Sequence, residues 1–134
     1  MKNMKQICLA AAAALTVSVS AVQAERLTCE FEESAAGGWV PPVMVFDVLE
    51  SGDVVVADAL IMHFNEEPMT SRVRTNNARR LTVTWDLDAQ DPSGNRSRMR
   101  YSAFIERPSL RASVQITPRG FRAMPRVSGQ CRQE

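Results

Sequence analysis

Arg80-Leu81-Thr82-Val83-Thr84-Trp85-Asp86-Leu87 alternates polar and apolar residues without a break. Successive side chains of a strand point to opposite faces, so Leu81, Val83, Trp85 and Leu87 share a buried face and the intervening residues a wet one. The same rhythm continues on both sides. Downstream, Asp91-Pro92-Ser93-Gly94 is a turn, with proline presetting one backbone angle and glycine accepting the positive one. Arg96, Arg98 and Arg100 then alternate with Met99, Tyr101, Ala103 and Ile105, and Pro108 leads into Leu110, Ala112, Val114 and Ile116. Pro118 and Gly120 turn the chain again into Phe121 and a tail ending near Cys131.

Upstream, Asn76 and Asn77 suit the tight turn of a hairpin between Thr70 to Thr75 and Arg79 to Leu87. Glu66, Glu67 and Pro68 mark a loop, and Ser51-Gly52 joins two apolar strands, Val43 to Glu50 and Asp53 to Met62. Ser34 to Pro42 is a loop broken by Gly37, Gly38, Pro41 and Pro42, and Arg26 to Glu33 is the first strand. No stretch of ten residues in this region has a helical period. The fold class is therefore all-β: one antiparallel meander of about eight strands over 25–134, closed as a barrel or folded as a two-sheet sandwich.

Ahead of this domain, Lys2 and Lys5 precede an uncharged apolar run from Ile7 through Val19, and Val22 and Ala24 stand just before Glu25. A basic start, an apolar centre and a small-residue end are the plan of a secretory signal peptide, expected at 1–24. The centre falls short of the roughly 20 residues that span a bilayer, so no transmembrane segment is expected after its removal. A periplasmic or secreted location follows. Cys8 leaves with the signal, and Cys29 and Cys131 remain as a single pair, expected to form a disulfide in an oxidising compartment. That bridge ties the first strand to the segment after the last, the two edges a meander must join, which favours the barrel.

The exported chain would hold 14 arginines against 15 acids and no lysine. A balance so near zero argues against nucleic acid as a partner. Candidates for chemistry are few. His63 is the sole histidine, and no G-x-S-x-G occurs. Asp86, Asp88, Asp91 and Asn95 gather around one turn, yet their spacing departs from that of a calcium loop and all are ordinary turn formers. Glu66 or Glu67 facing Asp88 would be a carboxylate pair of the kind a glycosidase uses, which any acid-rich β domain offers by chance. No catalytic residue, metal ligand or cofactor is expected. The arginine stripe Arg96, Arg98, Arg100, extended by Arg72, Arg74 and Arg111, reads as a solvated face balanced by acids such as Asp86 and Glu106, or as a contact for an acidic polymer or lipid head groups.

Binding candidates lie elsewhere. Trp39, on a glycine-rich loop, is either a plug for one end of the barrel or a recognition anchor. An even turn at Ser51-Gly52 pairs Leu49 with Val54 and Val45 with Asp58. One face is then Met44, Phe46, Val48, Val55, Ala57, Ala59 and Ile61, the core. The other carries Val43, Val45, Leu49, Val54, Val56 and Leu60 with only Asp47 and Asp58 among them, too apolar for a bare outer face. It is expected to be covered, by the chain itself, a second copy or an envelope protein partner.

C-x-F (Cys29, Phe31), G-W (Gly38, Trp39), R-L-x-V-x-W (Arg80 to Trp85), Y-x-A (Tyr101, Ala103), P-x-G-F (Pro118 to Phe121) and G-x-C (Gly129, Cys131) together resemble small exported β proteins of alphaproteobacteria that carry no assigned activity. More loosely, the chain is similar to periplasmic C-type lysozyme inhibitors, small disulfide-bracketed barrels, through Ser93-Gly94 and a Tyr101 that stands several residues later than theirs. No inhibitory residue is carried over. The function expected is a non-catalytic periplasmic binding or protein-interaction module, the alternative a small hydrolase or an inhibitor of an envelope-directed hydrolase.

Overall fold

The computed structural model describes residues 12–16 and 24–134. The expected signal peptide falls outside them, apart from 12–16 and Ala24. Among the described residues no helix is long and apolar enough to cross a membrane. The elements are β1 (Glu25–Phe31), β2 (Val43–Val48), β3 (Val54–Asp58), α1 (Ala59–Phe64), β4 (Met69–Thr70), β5 (Arg72–Asn76), β6 (Arg80–Gln90), β7 (Arg96–Glu106), β8 (Arg111–Pro118) and β9 (Val127–Gln133). They form one antiparallel sheet in the order β4-β3-β2-β1-β9-β8-β7-β6-β5.

Its two edge strands are separated by Ser71 alone. Both the amide and the hydroxyl of Ser71 donate to the Val54 carbonyl, at 2.8 and 2.7 Å, which pins this corner against β3. The edges β4 and β5 are thus halves of one bent segment, and the sheet curls into a nearly closed barrel instead of splitting into a sandwich. Cys29 and Cys131 stand opposite each other in the β1–β9 register and are disulfide-bonded. The Cys131 amide points the other way, to the Leu110 carbonyl, so the cystine occupies a non-hydrogen-bonded pair, where facing side chains come closest.

Strand β3 departs from expectation twice. It ends at Asp58, whose carboxylate accepts a 2.8 Å hydrogen bond from the Ile61 amide and caps α1. Ala59-Leu60-Ile61-Met62 therefore forms helix and does not continue the strand. The turn before β3 is also odd, not even. Leu49 donates to the Asp53 carbonyl at 2.8 Å and Gly52 to the Leu49 carbonyl at 2.9 Å, with Gly52 at φ 92°, a left-handed position open to glycine. Val48 then pairs with Val54, Phe46 with Val56 and Met44 with Asp58. A slip of one residue turns every side chain of a strand over. Val54 and Val56 are consequently core, while Val55 and Ala57 face outward.

The interior is filled. Trp85 stacks on its cross-strand partner Tyr101 with ring centroids 5.3 Å apart, and Phe46 meets Trp85 edge-on at 5.9 Å. Tyr101 is buried, and its hydroxyl donates to the Trp39 carbonyl at 2.8 Å, tying the 34–42 loop across the barrel end. Burial, with a smaller push from the charge of Asp58, raises the Tyr101 phenol well above its ordinary range.

Candidate functional site

The expected apolar patch is dispersed. Val43 and Leu49 are 45 and 40 % exposed and Val45 is half-buried on the outer face, whereas Val54 and Val56 lie inside the barrel. Leu60 is half-buried on α1 and packs against the core, as does Trp39. Trp39 is only partly buried and also lines surface hollows beside α1 and the Asp91 turn.

Half of the arginine stripe is engaged by acids, while Arg74, Arg96 and Arg111 make no ion pair among the described residues. Arg100 reaches both Asp86 oxygens at 2.9 and 3.2 Å, Arg98 reaches Asp88 at 3.1 Å, and Arg72 lies 3.5 Å from Asp86. The Arg100 hydrogen bond holds the Asp86 carboxyl below its usual range. At the following turn Asp91 Oδ1 accepts from the Ser93 hydroxyl at 2.6 Å and from the amides of Ser93 and Asn95 at 3.0 and 2.9 Å, so its carboxylate is spent on the backbone. Among the described residues no group of three or more His, Cys, Asp or Glu is placed to hold a metal ion. His63 is exposed at the end of α1, edge-on to Phe64.

A different set of arginines converges. On the outer wall of β6–β9 the register aligns Thr82, Phe104, Ser113 and Ser128 in one row across four strands. Arg80 and Arg111 belong to the neighbouring row, Arg79 precedes β6, and Arg126, just ahead of β9, sets its guanidinium 4.1 Å from the Phe104 ring centroid. These residues line a groove of about 670 Å³. Arg107, at its edge, is spoken for: it donates to Glu25 at 2.6 Å and to Asn76 at 3.1 Å, and is only 20 % exposed. Glu106 also lines the groove and accepts from Ser109 at 3.5 Å. Arg79, Arg80, Arg111 and Arg126 make no ion pair among the described residues.

No family model, curated protein or solved structure matches this chain.

Of the groove arginines, only Arg111 belongs to the stripe expected from strand alternation. The pointer to the rest is a charge asymmetry along the chain. From Arg107 to Gln133 there are six arginines, Arg107, Arg111, Arg119, Arg122, Arg126 and Arg132, and no acid, while every acid but Glu134 lies at or before Glu106. A near-neutral sum conceals a cationic C-terminal stretch.

Proposed function

We propose that this protein is a non-catalytic binding module of the cell envelope that holds an anionic ligand in the Arg79–Arg80–Arg111–Arg126 groove. The observation that carries the reading is the convergence on one groove, from three separate segments, of four arginines that make no ion pair among the described residues, with Arg126 set over the Phe104 ring. Against these four cations the groove lining carries one acid, Glu106, opposite Arg80 in the register, so positive charge stays in excess and an anion joining the arginines relieves their repulsion. A guanidinium meets phosphate or carboxylate through two parallel hydrogen bonds. The hydroxyls of Thr82, Ser113 and Ser128 add donors along the floor, and the lining contains neither histidine nor cysteine, the usual nucleophile partners of a hydrolase. The Cys29–Cys131 bridge and the three-part plan of residues 1–24 support export.

Titration calorimetry with inositol hexakisphosphate, a soluble polyanion, tests the groove. The native chain is expected to bind with an affinity that falls steeply with salt, and Arg80→Glu with Arg111→Glu to weaken it at least about tenfold while thermal unfolding is retained. Absence of binding by the native chain, or equal binding by the double variant, overturns the reading.

A further inference from the structure

The segment between β8 and β9, Arg119-Gly120-Phe121-Arg122-Ala123-Met124-Pro125-Arg126, carries three arginines and no acid. Its backbone is held in place. Phe121 donates to the Pro118 carbonyl at 3.0 Å, closing a turn with Gly120 at φ 81°, Arg119 donates to the Arg98 carbonyl at 2.9 Å, and Met124 donates to the Ile116 carbonyl at 2.8 Å. The Gln115 side chain adds a 3.3 Å bond to the Met124 carbonyl. Met124 is thereby drawn onto the wall, and Phe121 is left 74 % exposed at the tip, with Arg98, Arg100 and Arg119 beside it. A fixed turn that holds a bare phenyl ring in water forgoes the stabilisation its burial would give.

Tip and groove share one outer wall. Strand β8 runs from Arg111, which lines the groove, to Pro118, where the tip begins, and the segment returns to the groove through Arg126. The acids on this wall near the tip, Asp86 and Asp88, are engaged by Arg72, Arg98 and Arg100.

We infer that this wall docks on an anionic bilayer surface, with Phe121 seated at the boundary of head groups and acyl chains and with Arg119, Arg122 and the groove arginines on lipid phosphates. The inference rests on the anion-binding reading of the groove and names the source of the anion. A free phosphate ester would satisfy the guanidinium groups and leave Phe121 in water. An anionic membrane surface rewards both features at once, because apolar insertion and attraction to head groups add there.

Co-sedimentation of the purified full chain with phosphatidylcholine vesicles, with and without phosphatidylglycerol, is the test, run beside the calorimetry with inositol hexakisphosphate. The apolar run at 7–19 is common to every variant, so differences between variants read the wall. The native chain is expected to sediment with the anionic vesicles and to be released by salt. Phe121→Ser is expected to lower that binding about tenfold and to leave inositol hexakisphosphate affinity unchanged. Arg119→Gln with Arg122→Gln should lower vesicle binding about 25-fold, at about fivefold per arginine near the surface. Binding of the soluble polyanion without binding to anionic vesicles, or vesicle binding indifferent to Phe121→Ser, overturns the membrane inference and leaves the groove reading standing. Loss of both binding activities overturns both.

Discussion

Gly129 sits in β9 where no other residue fits. It faces Phe31 across β1, and a Cβ there would come within 2.5 Å of both the Phe31 ring and the Glu30 carbonyl oxygen. The ring lies over the bare glycine backbone, and the backbone carbonyl beneath cannot move aside as a flexible side chain would. Gly129→Ala is expected to cost about 1–3 kcal/mol, read as a lower urea midpoint at unchanged slope. Asp58 gives a residue-scale test of pH. Burial pushes its carboxyl above the ordinary range, against the opposing amide hydrogen bonds of Ile61 and Leu60. A folded-state pKa raised above the unfolded one means that the neutral form is favoured in the fold. That stabilisation is complete below the unfolded value near about 4 and is lost as pH rises through the folded value. Asp58→Asn keeps the helix cap and removes the titration, so the native chain should gain stability relative to it on acidification from neutrality. Asp58→Ala, which removes the cap, should cost about 1 kcal/mol. Urea unfolding of the three proteins at neutral and mildly acidic pH checks both.

At the scale of elements, the β2–β3 hairpin decides which valines are core. Alternation reads the faces of β2 correctly, since Met44, Phe46 and Val48 are buried as expected. It does not read β3, because the link between the strands is a three-residue turn with Gly52 left-handed, and Ser51-Gly52 suits an even or an odd turn equally well. The consequence is measurable. Val56→Thr places a hydroxyl in the fully buried interior and is expected to cost about 1–3 kcal/mol, whereas Val45→Thr, on the outer face, should stay within about 0.5 kcal/mol. Equal effects at the two positions would show that the hairpin has the even register. The helix α1 was equally hidden. Six residues are too few to display a helical period, and what starts the helix is the Asp58 cap, a contact and not a pattern.

At the scale of the molecule, the cystine joins the first strand to the last across 102 residues, at the seam where the chain ends meet. In the chain-entropy account such a bridge contributes about 4–5 kcal/mol by restricting the unfolded chain. Replacing Cys29 and Cys131 together by alanine is expected to lower the unfolding free energy by several kcal/mol while the far-ultraviolet spectrum of the folded barrel is kept, a comparison that thermal and urea melts make directly. The sequence by itself determined the all-β class, most of the staves, the hairpin between β5 and β6 and the pairing of Cys29 with Cys131, because alternation, turn chemistry and a lone cysteine pair are properties of neighbouring residues or of simple counting. The turn of that hairpin falls later than expected, over Asn77 to Arg80, with Asn76 paired to Leu81 inside β5. Only the tertiary structure decided the register of β3, the burial of Val54 and Val56 and the packing of Trp39 against the core. The meeting of Arg79, Arg80, Arg111 and Arg126 along one groove belongs with these. Each depends on how segments far apart in the chain are brought side by side, and a one-residue change in a single turn is enough to exchange the inside of a strand for its outside.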